Sequence, residues 1–344
     1  KKNNMINVER EIGGRVLKFQ TGKVARQSAG SVIVTYGETV ILVAVNSAKE
    51  IREDIDFFPL QVEYRERHYA GGKIPGGFFK REARPSEREI LTSRLTDRAI
   101  RPLFPKSFKY ETQVIITVLT TDGENPADVL AGVGASAALM VSNIPWNGPI
   151  ATVRLAKVDK DFVVNPTKEQ MEESSMELVV SGNKDTIVMV EGEADLIPED
   201  VFVDALKFAH NDIKKIIGLQ EELAKEVSPV KRDIPDEKSN EELNSAIDSA
   251  LGDKINDIIQ IADKTERESA TSELHQDTFE ALEEKFPEAE KEVNNLISDK
   301  FKKAFRDRVL DTGVRSDGRS TTCLLYTSPS PRDQRGSGVA GGGW

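Results

Sequence analysis

The chain has 344 residues, with 47 Lys and Arg against 58 Asp and Glu and a formal net charge of −11 at pH 7. This length allows two domains and the start of a third, and the single cysteine, Cys323, excludes an internal disulfide framework and is typical of a reducing compartment. Residues 1–30 have no apolar signal core, and no run of 18 apolar residues occurs anywhere. We therefore expect a cytoplasmic protein that is neither secreted nor membrane-spanning.

Strand and helix patterns alternate along roughly the first 230 residues. Runs of β-branched and apolar residues predict strands at residues 31–46, 113–119, 150–164, 176–181 and 186–191. The first run predicts a hairpin that turns at Gly37. Residues 128–140 are rich in Ala, Gly and Leu and predict a tightly packed helix, while residues 198–218 predict an amphipathic helix. Strands followed by helices, twice over, indicate an α+β fold.

The most basic part of the chain lies between residues 65 and 109, where 12 Lys and Arg stand against 5 Asp and Glu. This local excess of positive charge in an acidic chain predicts a polyanion as partner. Within it, two glycines precede Phe78-Phe79 and Lys80-Arg81 follow. Exposed rings stack on bases and adjacent cations hold phosphates, so the run predicts single-strand binding without sequence preference. The alternative is that both rings are core residues at a strand end; the flanking glycines and cations favour exposure.

A helix is predicted directly after this run. Ser86 and Glu89 have the spacing of a capping box, in which each side chain bonds the other residue's backbone N–H at a helix start. Ile90, Leu91 and Leu95 give the predicted helix an apolar stripe.

An arginine ladder runs along this predicted helix. Arg94, Arg98 and Arg101 are spaced i, i+4 and i+7, so they share one helix face, where three guanidinium groups can converge on phosphate oxygens. The alternative is a solvated face that contains an Asp97–Arg101 ion pair. The candidate binding residues are Phe78, Phe79, Lys80, Arg81, Arg84, Arg94, Arg98 and Arg101.

The composition changes after about residue 228, since residues 233–300 contain 20 Asp and Glu against 7 Lys and Arg. Apolar residues recur there at helical spacing, at Ile247, Leu251, Ile255, Ile258 and Ile259. This pattern predicts an acidic all-helical domain over residues 233–310, for which a solvated bundle without a catalytic role is expected. Residues 321–344 are rich in Ser, Pro and Gly without any strand or helix period. We expect this tail to be disordered and to lie outside the fold.

Asp122, Glu124 and Asp128 are the candidates for a cation site in the first half of the chain. Their spacing can in principle hold a cation. A turn followed by a helix with acids in its first turn explains the same residues, and we favour this second interpretation. Neither His68 nor His210 has a partner that the sequence reveals, so we assign no catalytic residue and no metal ligand to this chain.

Several long runs carry a resemblance to a known family. They are TGKVARQSAGS (21–31), FFPLQVEY (57–64), AGGKIPGGFFKRE (70–82), RAIRPLFP (98–105), TTDGENPAD (120–128) and VRSDGR (314–319). In these runs the chain resembles polynucleotide phosphorylase (polyribonucleotide nucleotidyltransferase), from residue 5 to about residue 320. The family commonly has Arg where this chain has Lys80, which replaces a rigid fork of donors by a point charge.

The resemblance implies a ribonuclease PH-type fold (ribosomal protein S5 domain 2-like) for residues 5–230. Residues 233–310 would form the all-helical linker domain of the family. Residues 311–320 would begin a second ribonuclease PH-like domain. It implies a phosphate-dependent 3′-to-5′ exoribonuclease and RNA polymerase of mRNA degradation, with inorganic phosphate as co-substrate and Mg²⁺ as cofactor. Single-stranded RNA would thread a homotrimeric ring, gripped at residues 78–81, with other RNA-degradation proteins as further partners.

The same resemblance places the metal-binding and general-acid aspartates and the serine-rich phosphate loop in the second domain. Nothing of that domain beyond Arg319 is in this chain, so we expect the chain alone to be inactive. The alternative is a non-catalytic RNA-binding ring subunit of an exosome-like assembly. The run from Arg315 to Arg319 favours the first interpretation, because a stand-alone subunit does not need the start of another domain.

Overall fold

The computed structural model describes residues 5–52, 57–78, 80–82, 84–234, 241–283, 285–286 and 289–323. The chain forms two compact units, residues 1–236 and residues 237–344. Within the described ranges, no helix combines the length and the apolar character needed to span a membrane. Phe79 and residues 324–344 of the predicted tail lie outside the described residues. The expectation for the first three tail residues is wrong, because the Thr321 N–H donates to the Gly313 carbonyl at 3.0 Å and the Cys323 N–H to the Ser320 carbonyl at 3.1 Å.

The first unit contains two sheets. Its strands are β1 (Ile6–Ile12), β2 (Arg15–Thr21), β3 (Gly30–Tyr36), β4 (Thr39–Ser47), β5 (Leu60–Glu66), β6 (Thr112–Thr120), β7 (Ala151–Val158), β8 (Asp161–Val164), β9 (Met176–Gly182) and β10 (Ile187–Ala194). The order of the first sheet is β1-β2-β3-β4-β6-β5, antiparallel except for the parallel pair β5 and β6. The second sheet, β10-β9-β7-β8, is antiparallel throughout.

The helices of the first unit complete an α+β architecture. They are α1 (Glu87–Ile100), α2 (Asp128–Val141), α3 (Lys168–Glu172) and α4 (Glu199–Val227), with short 3-10 helices at His68–Gly71 and Arg101–Leu103. The predicted hairpin is confirmed as β3 and β4, and each of the other predicted strand regions contains a strand. The predicted α+β class is likewise confirmed.

The parallel strands β5 and β6 are joined through α1, which makes a βαβ crossover. Parallel strands end at the same sheet edge, so the segments that follow Glu66 and Thr120 lie side by side. A hydrogen bond of 3.1 Å from the Thr121 N–H to the Ala70 carbonyl joins these segments. Ligands commonly bind outside the carboxyl ends of parallel strands, so the fold offers a site at this edge.

Helix α2 forms the centre of the core, and all of its residues except Met140 are buried. A Cβ added at Gly134 would lie 2.6 Å from the Val43 Cγ2, so glycine lets the helix approach β4 closely. The buried Gln220 of α4 donates to the Ile150 carbonyl at 2.9 Å and accepts from the Ser136 hydroxyl at 2.5 Å. These bonds satisfy a buried amide and fix α2 and α4 against the start of β7.

The predicted end of α4 at residue 218 is wrong, because the helix continues to Val227. Gly218 makes room for a side chain instead of ending the helix. The Arg10 Nη1 lies 2.9 Å from where a Cβ of Gly218 would stand, and it donates to the Lys215 carbonyl at 3.0 Å. A glycine that admits a neighbour from another element has the same sequence signal as a helix terminator.

The predicted apolar stripe of α1 is also only partly right. Leu95 packs against the core, but Ile90 and Leu91 are 48% and 52% exposed. The residues that α1 buries are Glu89, Thr92, Thr96, Ala99 and Ile100. The helix therefore packs through a largely polar face and leaves two large apolar side chains in solvent.

The second unit is helical. Its helices are α5 (Glu241–Leu251), α6 (Lys254–Ile258), α7 (Lys264–Leu282) and α8 (Glu290–Thr312). The apolar residues predicted at helical spacing are all buried in its core, which confirms that pattern. Helix α8 ends at Thr312 and is capped by Gly313, whose φ of 68° is left-handed; Val314 then pairs with Ser320 in an isolated bridge.

Candidate nucleic-acid interface

Residues 72–82, which we call the basic loop, follow β5, and most of the described side chains of this loop are exposed. Ile74 is 88% exposed and Phe78 is 94% exposed. Gly72 and Gly77 have φ angles of 68° and 78°, and a Cβ built on either would meet no atom within 4 Å. The ring of Phe78 is therefore presented to solvent, as the favoured interpretation requires. Phe79 lies outside the described residues.

Several cations on the basic loop, just before α1 and on α1 itself have no acidic partner among the described residues. Lys80, Arg81, Arg84 and Arg94 are exposed, and within the described part of the chain none of them makes an ion pair. Lys73 shares both properties, although the sequence analysis did not include it. Its position between the two glycine pairs is the sequence feature that could have identified it as a binding residue. These cations keep their charge available to a polyanion.

The start of α1 is fixed to the end of β5 by a buried carboxylate. The predicted capping box is present: the Ser86 hydroxyl accepts from the Glu89 N–H at 3.3 Å, and the Glu89 Oε2 accepts from the Ser86 N–H at 2.6 Å. The Glu89 Oε1 also accepts from the Glu66 N–H at 2.8 Å. Burial tends to raise the pKa of Glu89, but these hydrogen bonds and the nearby Arg65 hold it below its usual range.

Arg101 at the end of α1 has a structural set of partners. Its Nε and Nη2 donate to the Asp97 carboxylate at 2.8 and 2.7 Å, so the ion pair of the alternative interpretation is present. Its Nη1 and Nη2 also donate to the Phe58 and Leu60 carbonyls at 3.0 and 3.1 Å. Arg101 therefore fastens the end of α1 to the start of β5.

Arg98, one turn earlier, faces the second sheet. Its Nη2 lies 2.5 Å from the Glu191 Oε2 on β10, and the two side chains are 52% and 55% exposed. Solvent screens such a pair, so its contribution to stability is small and a phosphate can compete for the guanidinium. Of the three arginines on this face, only Arg94 lacks an ion pair within the described residues.

A cavity of about 850 Å³ opens at the carboxyl ends of β5 and β6, and His68 and Lys73 form part of its wall. Deeper in the cavity, the Arg154 guanidinium lies 2.8 Å from the Asp128 carboxylate and 2.9 Å from that of Glu177. The lining mixes such acids with cations in similar number. The cavity lining is therefore close to neutral, whereas the basic loop carries Lys73, Lys80 and Arg81 against the single acid Glu82.

The candidate cation residue Asp122 closes a turn. Its carboxylate accepts from the N–H groups of Glu38, Glu124 and Asn125 at 3.1, 2.9 and 2.8 Å, and from the Asn125 side-chain amide at 2.7 Å. Burial tends to raise the pKa of Asp122, but these hydrogen bonds outweigh it and lower the pKa to about 2. This geometry matches the favoured interpretation, a turn leading into α2.

Of the other candidate residues, Asp128 and His210 are engaged within the protein, whereas Glu124 is exposed. The Asp128 Oδ1 accepts from the Val129 N–H at 2.8 Å in the first turn of α2. The His210 Nε2 lies 2.9 Å from the Asn183 carbonyl. Among the residues that the structure describes, no three His, Cys, Asp or Glu side chains come together in a group that can hold a metal ion.

Comparison with family models divides the chain into three matched stretches. Residues 13–145 match domain 1 of the 3′ exoribonuclease family, and residues 148–212 match domain 2 of the same family. Residues 242–320 match the model described as polyribonucleotide nucleotidyltransferase, RNA binding domain. The matches confirm that the first unit has a ribonuclease PH-type fold and that a helical domain follows it along the chain.

Curated relatives with the name polyribonucleotide nucleotidyltransferase match nearly the whole chain. The protein of Heliobacterium modesticaldum is 46% identical over 309 residues, that of Thermomicrobium roseum 48% over 319, and that of Geotalea uraniireducens 43% over 317. The chain belongs to the polyribonucleotide nucleotidyltransferase family. The matches cover 90%, 90% and 92% of this chain but 44%, 40% and 46% of the relatives. The chain thus spans less than half the length of the family members it matches and corresponds to their N-terminal part.

Among solved structures, the exosome of Archaeoglobus fulgidus with RNA bound to the active site is similar to 62% of this chain and 87% of that chain, with a TM-score of 0.48 and 20% identity.

Proposed function

We propose that this chain is the RNA-gripping part of a phosphate-dependent 3′-to-5′ exoribonuclease and RNA polymerase, and that its basic loop holds single-stranded RNA. The observation that carries the proposal is the exposed ring of Phe78 beside Lys80 and Arg81, two cations without an ion pair in the described chain. The face of an aromatic ring stacks on any base, and the cations meet the phosphates on either side. The grip is therefore independent of base sequence.

The arginine ladder extends this positive surface along α1. Arg84 and Arg94 are exposed and meet RNA phosphates directly. Arg98 reaches a phosphate by exchanging the exposed Glu191 for it. Arg101 contributes mainly its charge, because Asp97 and two carbonyls already accept from its guanidinium.

The activity proposed for the whole protein is phosphorolysis, in which inorganic phosphate attacks the terminal phosphodiester and a nucleoside diphosphate leaves. Mg²⁺ in such a reaction offsets charge that develops on the phosphoryl oxygens. The described residues do not fit a Mg²⁺ site, since Asp122 and Asp128 are engaged in hydrogen bonds and ion pairs within the unit. We assign the metal and the phosphate to the rest of the protein, and to this chain the holding of RNA.

We further propose a homotrimeric ring that acts in mRNA degradation in the cytoplasm, together with other RNA-degradation proteins. The exposed apolar pair Ile90 and Leu91 on α1 supports an assembly surface, because neighbouring large apolar side chains in solvent commonly mark protein contacts. Sedimentation of the full-length protein with Ile90→Asp and Leu91→Asp tests this part. If the full-length protein still sediments as a trimer after both changes, α1 does not belong to the interface.

The second unit has a basic end that suits its family description. Between residues 300 and 308 there are five Lys and Arg against one acid, although the helices before them are acidic. Lys303 and Arg306 are exposed there, and they have no ion pair among the described residues. We propose that RNA contacts this end of α8. The match of residues 242–320 to a polyribonucleotide nucleotidyltransferase model favours the enzyme over an exosome-like ring subunit.

Binding of a labelled oligo(A) tests the basic loop. Replacing Phe78 and Phe79 by Ala should weaken binding by roughly 2–4 kcal/mol if both rings stack on bases. Phe57→Ala is the matched control, because Phe57 is 64% exposed but precedes β5 instead of following it. Equal binding by the wild type and the double variant, measured in the full-length protein, would overturn the proposal.

The salt dependence of binding tests the cations separately. Replacing Lys80 and Arg81 by Ala should reduce the log-log salt slope by about 0.7 for each RNA phosphate that the loop no longer neutralises. Lys160→Ala, at the exposed turn between β7 and β8, is the control and should leave the slope unchanged. If the salt slope falls equally in the Lys80 and Arg81 double variant and in Lys160→Ala, RNA is held by cations all over the surface and not by the basic loop.

The division of labour has its own test. Since the metal and phosphate ligands are assigned to the rest of the protein, the purified chain should release no nucleoside diphosphate from poly(A) with phosphate and Mg²⁺. The full-length protein is the positive control. Robust phosphorolysis by the chain alone would refute this assignment.

A further inference from the structure

We infer that Glu82 is a positioning residue for RNA: its carboxylate closes the basic loop onto Arg67 and His68 and so holds the stacking ring and the cations in place. The inference rests on the proposed function of the loop. Glu82 has the wrong charge to bind RNA itself, and the contacts that it makes give it a different role.

The two ends of the loop are bonded to one residue. At the first end, the Lys73 N–H donates to the His68 carbonyl at 2.9 Å. At the second end, the Glu82 Oε1 accepts from the His68 N–H at 3.0 Å and lies 3.7 Å from its Nδ1, while Oε2 accepts from the Arg67 Nη1. The backbone of His68 thus holds one end of the loop through its carbonyl and the other through its N–H.

Between these ends, the backbone hydrogen bond that the described residues make is a long one. The Lys80 N–H donates to the Gly77 carbonyl at 3.4 Å, a long bond, and Lys80 itself has a left-handed φ of 46°. The side chains of Ile74 and Phe78 are almost fully exposed. A loop of this kind depends on its base for order, because few packed groups offset the conformational entropy of its residues.

Closure by Glu82 therefore reduces the entropy that RNA binding must overcome. A loop that is already held in its bound arrangement loses less freedom when the strand arrives. Hydrogen bonds from Arg67 and the His68 backbone lower the pKa of Glu82, so the carboxylate remains ionised at neutral pH. The neighbouring Arg67 offsets its negative charge near the RNA.

The sign of a mutational effect separates this role from simple electrostatics. Glu82→Ala and the control Glu87→Ala each remove one negative charge from the basic segment, so charge alone predicts tighter RNA binding for both. Loss of the closure predicts instead that Glu82→Ala weakens oligo(A) binding by roughly 3- to 10-fold, the range of one or two hydrogen bonds. Glu82→Gln should recover much of this loss, because its amide oxygen can still accept from the His68 N–H.

Two further readouts distinguish positioning from direct binding. Without RNA, Glu82→Ala should raise the hydrogen-exchange rates of the His68 and Lys73 amides by about tenfold or more, whereas Glu87→Ala should not. With RNA, Glu82→Ala should keep the wild-type salt slope, since Glu82 meets no phosphate. Melting curves of the variants show whether the domain stays folded. If Glu82→Ala does not fold, Arg67→Met replaces it in the hydrogen-exchange comparison, because it also removes a partner of the Glu82 carboxylate. The RNA affinity of Arg67→Met does not test the inference, since this change also removes a positive charge.

The outcomes are distinct. Wild-type or tighter RNA binding by Glu82→Ala, or unchanged exchange at His68 and Lys73, would overturn the inference. If the Phe78 and Phe79 double variant loses RNA binding while Glu82→Ala does not, the inference alone fails. If the Phe78 and Phe79 double variant and Glu82→Ala both bind RNA like the wild type, both the inference about Glu82 and the proposed function of the basic loop fail.

Discussion

The segments that follow β5 and β6 leave the same edge of the sheet, yet they use their charged residues in opposite ways. After β6, the Asp122 carboxylate accepts four hydrogen bonds from N–H groups and closes a turn. After β5, the basic loop extends into solvent with Lys80 and Arg81 exposed. Both segments are rich in glycine and charge, so composition does not separate them.

The difference lies in which donors and acceptors are within reach. A short Asp side chain lies close to the backbone N–H groups that follow it, which makes it a turn residue. On the glycine-hinged basic loop, the Glu82 carboxylate accepts from Arg67 and from the His68 N–H, so Lys80 and Arg81 have no ion pair among the described residues. Charge that is satisfied locally serves the fold, and charge that is left unsatisfied is available to a ligand.

The largest expected effect is on the turn after β6. Asp122→Ala should lower the free energy of unfolding by about 2–3 kcal/mol, because several N–H groups lose a charged acceptor. The control is Glu124→Ala, an exposed acid in the same turn, with an expected change within about 0.5 kcal/mol. Urea denaturation measures both. Equal values would show that the turn does not depend on the Asp122 carboxylate.

The same residue predicts a dependence on pH. The pKa of Asp122 is about 2 in the folded protein and about 3.9 in an unfolded chain, so its contribution to stability is present above pH 4 and is lost as the pH falls toward 2. After allowance for partial exposure, the loss should be about 1–2 kcal/mol. The difference in stability between the wild type and Asp122→Asn should therefore shrink over this range. A difference that stays constant from pH 5 to about pH 2 would contradict the pKa assignment.

Within the arginine ladder, Arg101 and Arg94 lie on the same helix face, but Arg101 has partners in the fold and Arg94 has no ion pair among the described residues. Arg101→Ala should cost about 1–2 kcal/mol of stability, because the Phe58 and Leu60 carbonyls lose their donors. Arg94→Ala should change stability by less than about 0.5 kcal/mol, yet weaken RNA binding and reduce the salt slope by about 0.7. Thermal melts and oligo(A) titrations in parallel test the pair. The reverse pattern would exchange their roles.

The smallest expected effect concerns a cation that serves the fold. The Lys231 ammonium donates to the Leu139, Met140 and Ser142 carbonyls at 2.8, 3.3 and 2.9 Å, at the end of α2. Burial lowers the pKa of Lys231 to about 8, whereas an unfolded lysine titrates near pH 10.4. Between these values the unfolded chain binds more protons, so stability relative to Lys231→Met should rise with pH, by about 1 kcal/mol. A flat difference from pH 8 to about pH 10 would contradict this.

Secondary structure is predictable here wherever the residue pattern has a clear period. The hairpin of β3 and β4, strand β6 and helix α2 follow from β-branched runs and from an Ala- and Gly-rich stretch, because these periods are local properties. Strands β1, β2 and β5 escape prediction. They contain many charged and polar residues, and only pairing with the neighbouring strands turns these half-exposed segments into a sheet.

The family and the chemistry of the basic loop follow from the sequence alone. A ring, hinging glycines and cations keep their properties wherever they are placed, and their order along the chain is specific. The tertiary structure decided which charges are free. Glu191 pairs with Arg98, and the Glu38 N–H bonds Asp122, across stretches of sequence that no period links. Ion pairs and hydrogen bonds depend on distances in space between elements, so the availability of a charged side chain is settled only when the chain folds.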